Sequence, residues 1–329
     1  MTIGISRPEE RPAAASQPVT AISVVICSYT LDRWDDLRAA VGSLHRQTME
    51  PAEIIVVIDN NAELLRMATR EWPRARVMAS AGPAGVSAAR NTGLHAARGD
   101  VVGFLDDDAV AAADWIARMA AALDDPQVLA AGGTVAARWE TQRPQWFPSE
   151  FDWVVGCTYR GMPKTPTPVR NLIGASMAVR RVLLAEIGGF STSLGRIGRR
   201  PTGCEETEAC IRLSRARPNG RLLFDPSIRV EHSVPVARTT LRYFLARCYL
   251  EGRSKAVVAR LVGKDSALAT ERDYVRGTLS RGVWRSISRS LAERRASALS
   301  HGGVIIIGLG VTLVGYLRGR FEAGRGFAR

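Results

Sequence analysis

Apolar positions in the first hundred residues alternate between two periods. Ile22-Ser23-Val24-Val25-Ile26, Glu53–Ile58 and Val101–Leu105 have the length and density of buried strands. Between the first two, apolar residues at 34, 37, 41 and 44 fall at helical spacing within Trp34 to Gln47. The order strand, helix, strand, helix, strand predicts an α/β fold with a mainly parallel sheet and right-handed crossovers. Sheets of that kind bind ligands beyond the carboxyl ends of their strands. Those ends are polar here: Cys27-Ser28-Tyr29-Thr30, Asp59-Asn60-Asn61 and Asp106-Asp107-Asp108.

The triple aspartate carries the most chemistry. Carboxylates closing a buried strand need a partner, because unpaired burial costs several kcal/mol. A hard divalent cation, Mg or Mn, is the simplest partner for clustered carboxylates. A solvated acidic turn is the plain alternative. The presence of Tyr29 and Asp59 on the same predicted edge favours a site.

Three later segments add candidates. Gly82 to Gly93 (GPAGVSAARNTG) is a glycine-containing loop leading into a helix through Ala97, and its free N–H groups and Arg90 suit a phosphate. An ordinary strand-to-helix connection reads the same way. No GxGxxG follows the first strand and no GxxxxGK[ST] occurs, which argues against dinucleotide and P-loop readings. Asn171 to Arg181 precedes an apolar stretch and Gly188-Gly189-Phe190. Gly203-Cys204-Glu205-Glu206-Thr207-Glu208 then opens a helix through about Arg217. Acids in a first turn favour the macrodipole, and one of them could equally serve as a general base. Phe224-Asp225-Pro226 reads as a turn and Val230-Glu231-His232 as a final short strand. His232 is either structural or completes a metal or diphosphate site.

Composition bounds these readings. A chain of 329 residues, 46% hydrophobic, buries a sizeable core. Five cysteines (27, 157, 204, 210, 248) form no CxxC pair, as expected of a reducing compartment without structural zinc or disulfides. Residues 1–19 read as a disordered leader and not a signal peptide. Residues 20–235 read as one α/β domain, its first half ending near 135, and 236–329 as a basic helical region. That last region holds 18 Lys/Arg against 6 Asp/Glu, almost all of the net charge of +13. Such asymmetry fits an anionic membrane surface. Nucleic acid is not expected, since no nucleic-acid module accompanies the arginines. Within the region, the uncharged stretch Gly302 to Leu317 is short for a membrane span and contains five glycines. It reads as a membrane-associated or re-entrant hairpin, with a buried packing helix as the alternative.

Taken in order, VVICSYT, VVIDN, GVSAARNTGL, FLDDDA, GASMAVRR, IGGF, GCEETEACIRL and VEHSVP resemble the family 2 glycosyltransferases over roughly Ile22 to Lys255. The resemblance implies a GT-A fold and an inverting transfer from a nucleotide diphosphate sugar, with Mg or Mn. It assigns Ser28, Tyr29 and Asp59 to the nucleotide, with Arg90 near the donor. Asp106 and Asp108 match the ends of the DxD motif: Asp106 reaches ribose and metal, Asp108 ligates the metal, and His232 stands close by. Glu206, or its neighbour Glu205, occupies the place of the general base. Two departures stand out. Ser176 replaces a frequent Asn, and the QxxRW motif of processive synthases is missing, so single-sugar transfer is expected. The expected donor is UDP-linked, and the expected acceptor is a glycan or lipid-linked saccharide at the cytoplasmic membrane face. A sugar nucleotidyltransferase, or a tethered nucleotide-sugar binder without turnover, is the alternative.

Overall fold

The structure is a computed structural model describing residues 21–196, 202–268, 270–293 and 299–325. The expected leader, 1–19, lies outside the described residues. The three apolar runs form β1 (Ile22–Ser28), β2 (Glu53–Ile58) and β4 (Val101–Asp106), with β3 (Arg76–Ala79) on the edge. Helices α1 (Trp34–Leu44), α2 (Ala62–Glu71) and α3 (Val86–Ala96) make the crossovers. Asn61 starts α2 by accepting the Leu64 N–H at 2.9 Å, satisfying one of the free donors of the first turn. The order β3-β2-β1-β4 is parallel throughout, as the alternation predicts.

Beyond β4 the sheet becomes mixed. After β5 (Ala109–Ala111), α4 (Trp115–Leu123), β6 (Val128–Trp139) and β7 (Thr167–Val169), the strand β8 (Ser176–Arg180) runs antiparallel between β4 and β6. Single-turn α5 (Arg181–Glu186) and α6 (Glu205–Ala216) lead to β9 (Arg221–Val234), parallel to β6. The expected turn at Phe224-Asp225-Pro226 and the expected short strand are therefore one long strand. Its register shifts between Gly133 and Thr134, a bulge that accommodates a proline unable to donate to the ladder. A Cβ at Gly133 would overlap the Asp225 and Ile228 carbonyls, so this crossing admits only glycine. Among the described residues the sheet has nine strands, with apolar clusters on both faces, one around Trp115 and Ile116, the other around Phe104 and Phe190. Each large aliphatic or aromatic side chain buried there contributes about 1.5–3 kcal/mol.

The C-terminal region is helical, as expected: α7 (Leu241–Val262), single turns α8 (Lys264–Ala267) and α9 (Glu271–Asp273), a wide turn at Tyr274–Leu279, α10 (Ser280–Glu293) and α11 (Leu299–Arg325). The uncharged stretch is not a hairpin but part of the continuous α11. Its glycines explain why. A Cβ at Gly315 would overlap the Tyr249 carbonyl, and one at Gly308 would lie 2.8 Å from Phe151, so these positions let α11 close onto α7 and the core. The contacts Phe244–Gly308, Gly252–Thr312 and Ala256–Gly319 advance together, so the two helices run parallel.

Candidate active site

The polar ends of β1 and β4 meet at one cleft, lined by Cys27, Tyr29, Asp106 and Asp107. Asp106 closes β4, and the chain turns so that Asp107 and Asp108 are buried behind it. Asp107 accepts the Ser28 hydroxyl at 2.6 Å and the Arg33 guanidinium at 2.7 Å. Ser28 is thus buried and holds the acidic turn. Register does the long-range work: β5 pairs Ala109 with His232, and the Ser233 N–H donates to the Asp108 carbonyl at 2.7 Å. This seats His232 Nε2 at 3.1 Å from Asp108 Oδ1.

Asp108 carries three cations. Besides His232, Arg33 and Arg238 each lie 3.2 Å from its Oδ2. Burial alone would raise its carboxyl, but His232, Arg33 and Arg238 together hold it well below the usual carboxylate range. Burial likewise opposes protonation of His232, yet the Asp108 charge and hydrogen bond lift it to about 10. One ligand atom each from Asp106, Asp108 and His232 lies within 4.8 Å of the others. Two carboxylates and an imidazole at that spacing suit a hard or borderline divalent cation, which would take over part of the compensation now made by the arginines.

Arg90 joins this cluster to the acidic helix. Its guanidinium is buried and donates to Asp106 Oδ1 at 3.0 Å, Glu205 Oε1 at 2.9 Å and the Gly174 carbonyl at 3.2 Å. Three acceptors in fixed directions need the planar fork of arginine. Helix α6 starts sharply at Cys204, whose φ of 72° is left-handed, and this turns both Glu205 and Glu206 into the cleft. Glu205 is clamped by Arg90, and its Oε2 is buried with no hydrogen-bond partner in the protein. Glu206 has no such clamp: burial, then the neighbouring Glu205 charge, push its carboxyl up to about 8. A carboxylate with that value suits proton transfer near neutral pH. Burial pushes the Cys27 thiol, which lines the cleft, up to about 12, so it is not a poised nucleophile.

Tyr29 lines the same cleft, its ring 5.9 Å from the Arg33 guanidinium carbon. Asp59 follows β2, lies outside the lining of the cleft, and accepts the Gly85 N–H at 2.8 Å, so it braces the glycine loop. Arg90, Asp106, Glu205, Glu206 and His232 share one cleft of about 470 Å³ with Tyr29. Sequence reading missed Arg33, Arg238 and the charged residues of α7. Arg33 and Arg238 lie just past recognised motifs, but which acid a long side chain reaches depends on tertiary placement. Arg247, Glu251 and Lys255 line the cleft as well, with Arg247 to Glu251 at 2.7 Å and Lys255 paired to Glu271. Their i, i+4 spacing was the available signal.

Comparison with known proteins agrees with this geometry. The sequence profile of glycosyl transferase family 2 matches residues 23–188. The chain is 32% identical over 241 residues to the glucosyl-dolichyl phosphate glucuronosyltransferase of Haloferax volcanii, covering 72% of this chain and 77% of that protein. It is 27% identical over 244 residues to the succinoglycan biosynthesis protein ExoM of Rhizobium meliloti, covering 71% and 73%. Among solved structures, it superposes on the mannosyltransferase PcManGT of Pyrobaculum calidifontis, in complex with GDP-Man and Mn2+, with a TM-score of 0.58 at 18% identity, covering 94% of this chain and 91% of that one. For GalNAc-T7 with UDP, GalNAc and Mn2+ the TM-score is 0.51 at 18% identity, with 80% and 57% covered. These two likenesses carry the fold, which is of the GT-A type. The chain is a glycosyltransferase and belongs to glycosyl transferase family 2.

Proposed function

We propose that the enzyme transfers a single sugar, with inversion, from a UDP-linked donor to a hydroxyl of a glycan or lipid-linked saccharide, with Glu206 as the base. The observation that carries this reading is Arg90, which ties Asp106 on the donor side to Glu205 on the acceptor side within one cleft. In this reading Tyr29 and Asp59 border the nucleoside. Asp106, Asp108 and His232 would hold Mg or Mn, which offsets the charge growing on the leaving diphosphate. Arg90 fixes Glu205 beside Asp106. Glu206 takes the proton of the attacking acceptor hydroxyl, since single displacement needs one base and no covalent nucleophile. The two solved structures of like fold hold UDP in one case and GDP-Man in the other, so the assay spans both nucleotides.

The acceptor reading leans on the Haloferax relative, whose name describes a dolichyl phosphate-linked acceptor. The segment Ser300–Glu322 is long and apolar enough to cross a membrane by length and composition, and α10 exposes Trp284 beside Arg281 and Arg285. Aromatic and basic residues on one helix face suit the surface of an anionic bilayer, at the cytoplasmic side in this reading. The test is release of nucleotide from a panel of nucleotide sugars, with and without Mn, for wild type and Asp108→Asn. Metal-dependent release of one nucleotide, lost in the variant, is expected. Donor binding without turnover in any condition would leave only the tethered binder, and sugar-phosphate activation in place of sugar transfer would favour the nucleotidyltransferase.

A further inference from the structure

The cleft does not end at the charged cluster. Beyond Glu206 it continues past the aromatic rings of Trp153, Tyr159 and Tyr274 to α11, where Leu309, Thr312, Leu313 and Tyr316 form its far wall. Those four positions recur at three- and four-residue steps, so they lie on one stripe of the helix. Leu313 is both part of this wall and 55% exposed, which places a mouth of the cleft at its side chain. Just outside, α11 exposes Ile306 (60%), Ile307, Val314, Leu317 and Phe321 (75%). Single exposed apolar residues are ordinary, but a contiguous series on one helix, continuous with the mouth of an active cleft, is not.

The opposite face of α11 is closed to lipid. Gly308 and Gly315 pack against Phe151, Phe244 and the Tyr249 backbone, so the helix is half-embedded in the protein along its length. The helix it packs on, α7, carries Arg242, Arg253 and Arg260, charges that are costly inside a bilayer. The cleft thus offers polar and aromatic groups near Glu206, suited to a saccharide, and an apolar exit facing outward. A free glycan gains nothing from that exit, whereas each methylene of a hydrocarbon chain withdrawn from water there adds to binding.

We propose that the acceptor carries a hydrocarbon chain, with its saccharide entering toward Glu206 and its chain leaving over Leu309, Leu313 and Tyr316. The helix α11 lies along the bilayer surface and guides the chain. This inference rests on the transferase reading, and donor hydrolysis, measured separately, reports on that reading alone.

The test uses the full-length protein on anionic phospholipid vesicles carrying a polyisoprenyl phosphate with a diazirine in its chain. Irradiation is expected to label Leu309, Leu313 or Tyr316, with labelling competed by unlabelled polyisoprenyl phosphate and not by free glucose. Leu313→Asp, at a half-exposed position, is expected to lower that labelling by about tenfold. Leu309→Ser gives a second variant, and its melting curve reports whether the fold is intact. Labelling confined to Ile306, Val314 or Phe321, labelling unaltered in Leu313→Asp, or no labelling of vesicle-bound protein would each overturn the proposal. If labelling is as expected but no nucleotide sugar is turned over, the lipid site stands and the transferase reading fails.

Discussion

The two ends of the cleft handle charge in opposite ways. At the donor end, acids and cations come from distant segments: Asp108 on the turn after β4, His232 on β9, Arg33 before α1 and Arg238 before α7. At the acceptor end each acid is matched by nearby bases, Arg247 with Glu251 along α7 and both Lys255 and Arg170 with Glu271 from separate segments. Charges gathered across the fold are held together against burial, His232, Arg33 and Arg238 all compensating Asp108. Charges matched in this way line a wall and leave little net attraction. The net positive charge of the C-terminal region is therefore a poor map of its binding surface, because several of its cations face inward, already paired.

Breaking the donor end should have the largest effect. Asp108→Asn removes a proposed metal ligand and leaves three buried cations short of their acid. Metal-dependent turnover should fall by about 1000-fold or more, several kcal/mol of transition-state stabilisation, and loss of the buried network should cost about 3–5 kcal/mol in urea unfolding. Arg90→Lys should follow. One ammonium cannot serve Asp106, Glu205 and the Gly174 carbonyl together, so kcat/KM should drop about 10–100-fold.

The acceptor end is broken through packing. Gly315→Leu drives a side chain into the Tyr249 backbone and should cost about 1–3 kcal/mol in thermal or urea unfolding. It should also impair sugar transfer more than donor hydrolysis, since α11 walls only the far end of the cleft.

The smallest expected effect has the opposite sign. The carboxyl of Glu206 is raised from 4.5 to about 8, so between those values the folded state keeps a proton that the unfolded chain has released. Its contribution therefore turns unfavourable as pH rises above 4.5, and the full penalty is present above about 8. Glu206→Gln should stabilise the fold at alkaline pH by on the order of 1 kcal/mol, read as a higher Tm.

The donor half was legible because its signals are local. Apolar runs of strand length, each followed by polar residues, state both the sheet and its reactive edge, and the parallel order of β1, β2 and β4 followed from helical spacing between them. The meeting of Asp108 with His232 was reachable only through the family resemblance, since it depends on the pairing of β5 with β9. The single long β9 was missed because Pro226 reads as a strand breaker until Gly133 supplies the bulge. The packing role of the α11 glycines was open in sequence: five glycines weaken a spanning helix, but only the fold tells which of them touch α7.

The division of labour between two adjacent glutamates is the central claim, and a pH–rate profile tests it most directly. For the wild type, kcat/KM for transfer should rise tenfold per pH unit and level off near 8, where Glu206 loses its proton. Glu206→Gln should abolish that limb and lower the rate about 10²–10⁴-fold, while Glu205→Gln keeps the limb. A profile in which Glu205→Gln removes the limb and Glu206→Gln retains it would contradict the assignment and make the Arg90-bound carboxylate the base.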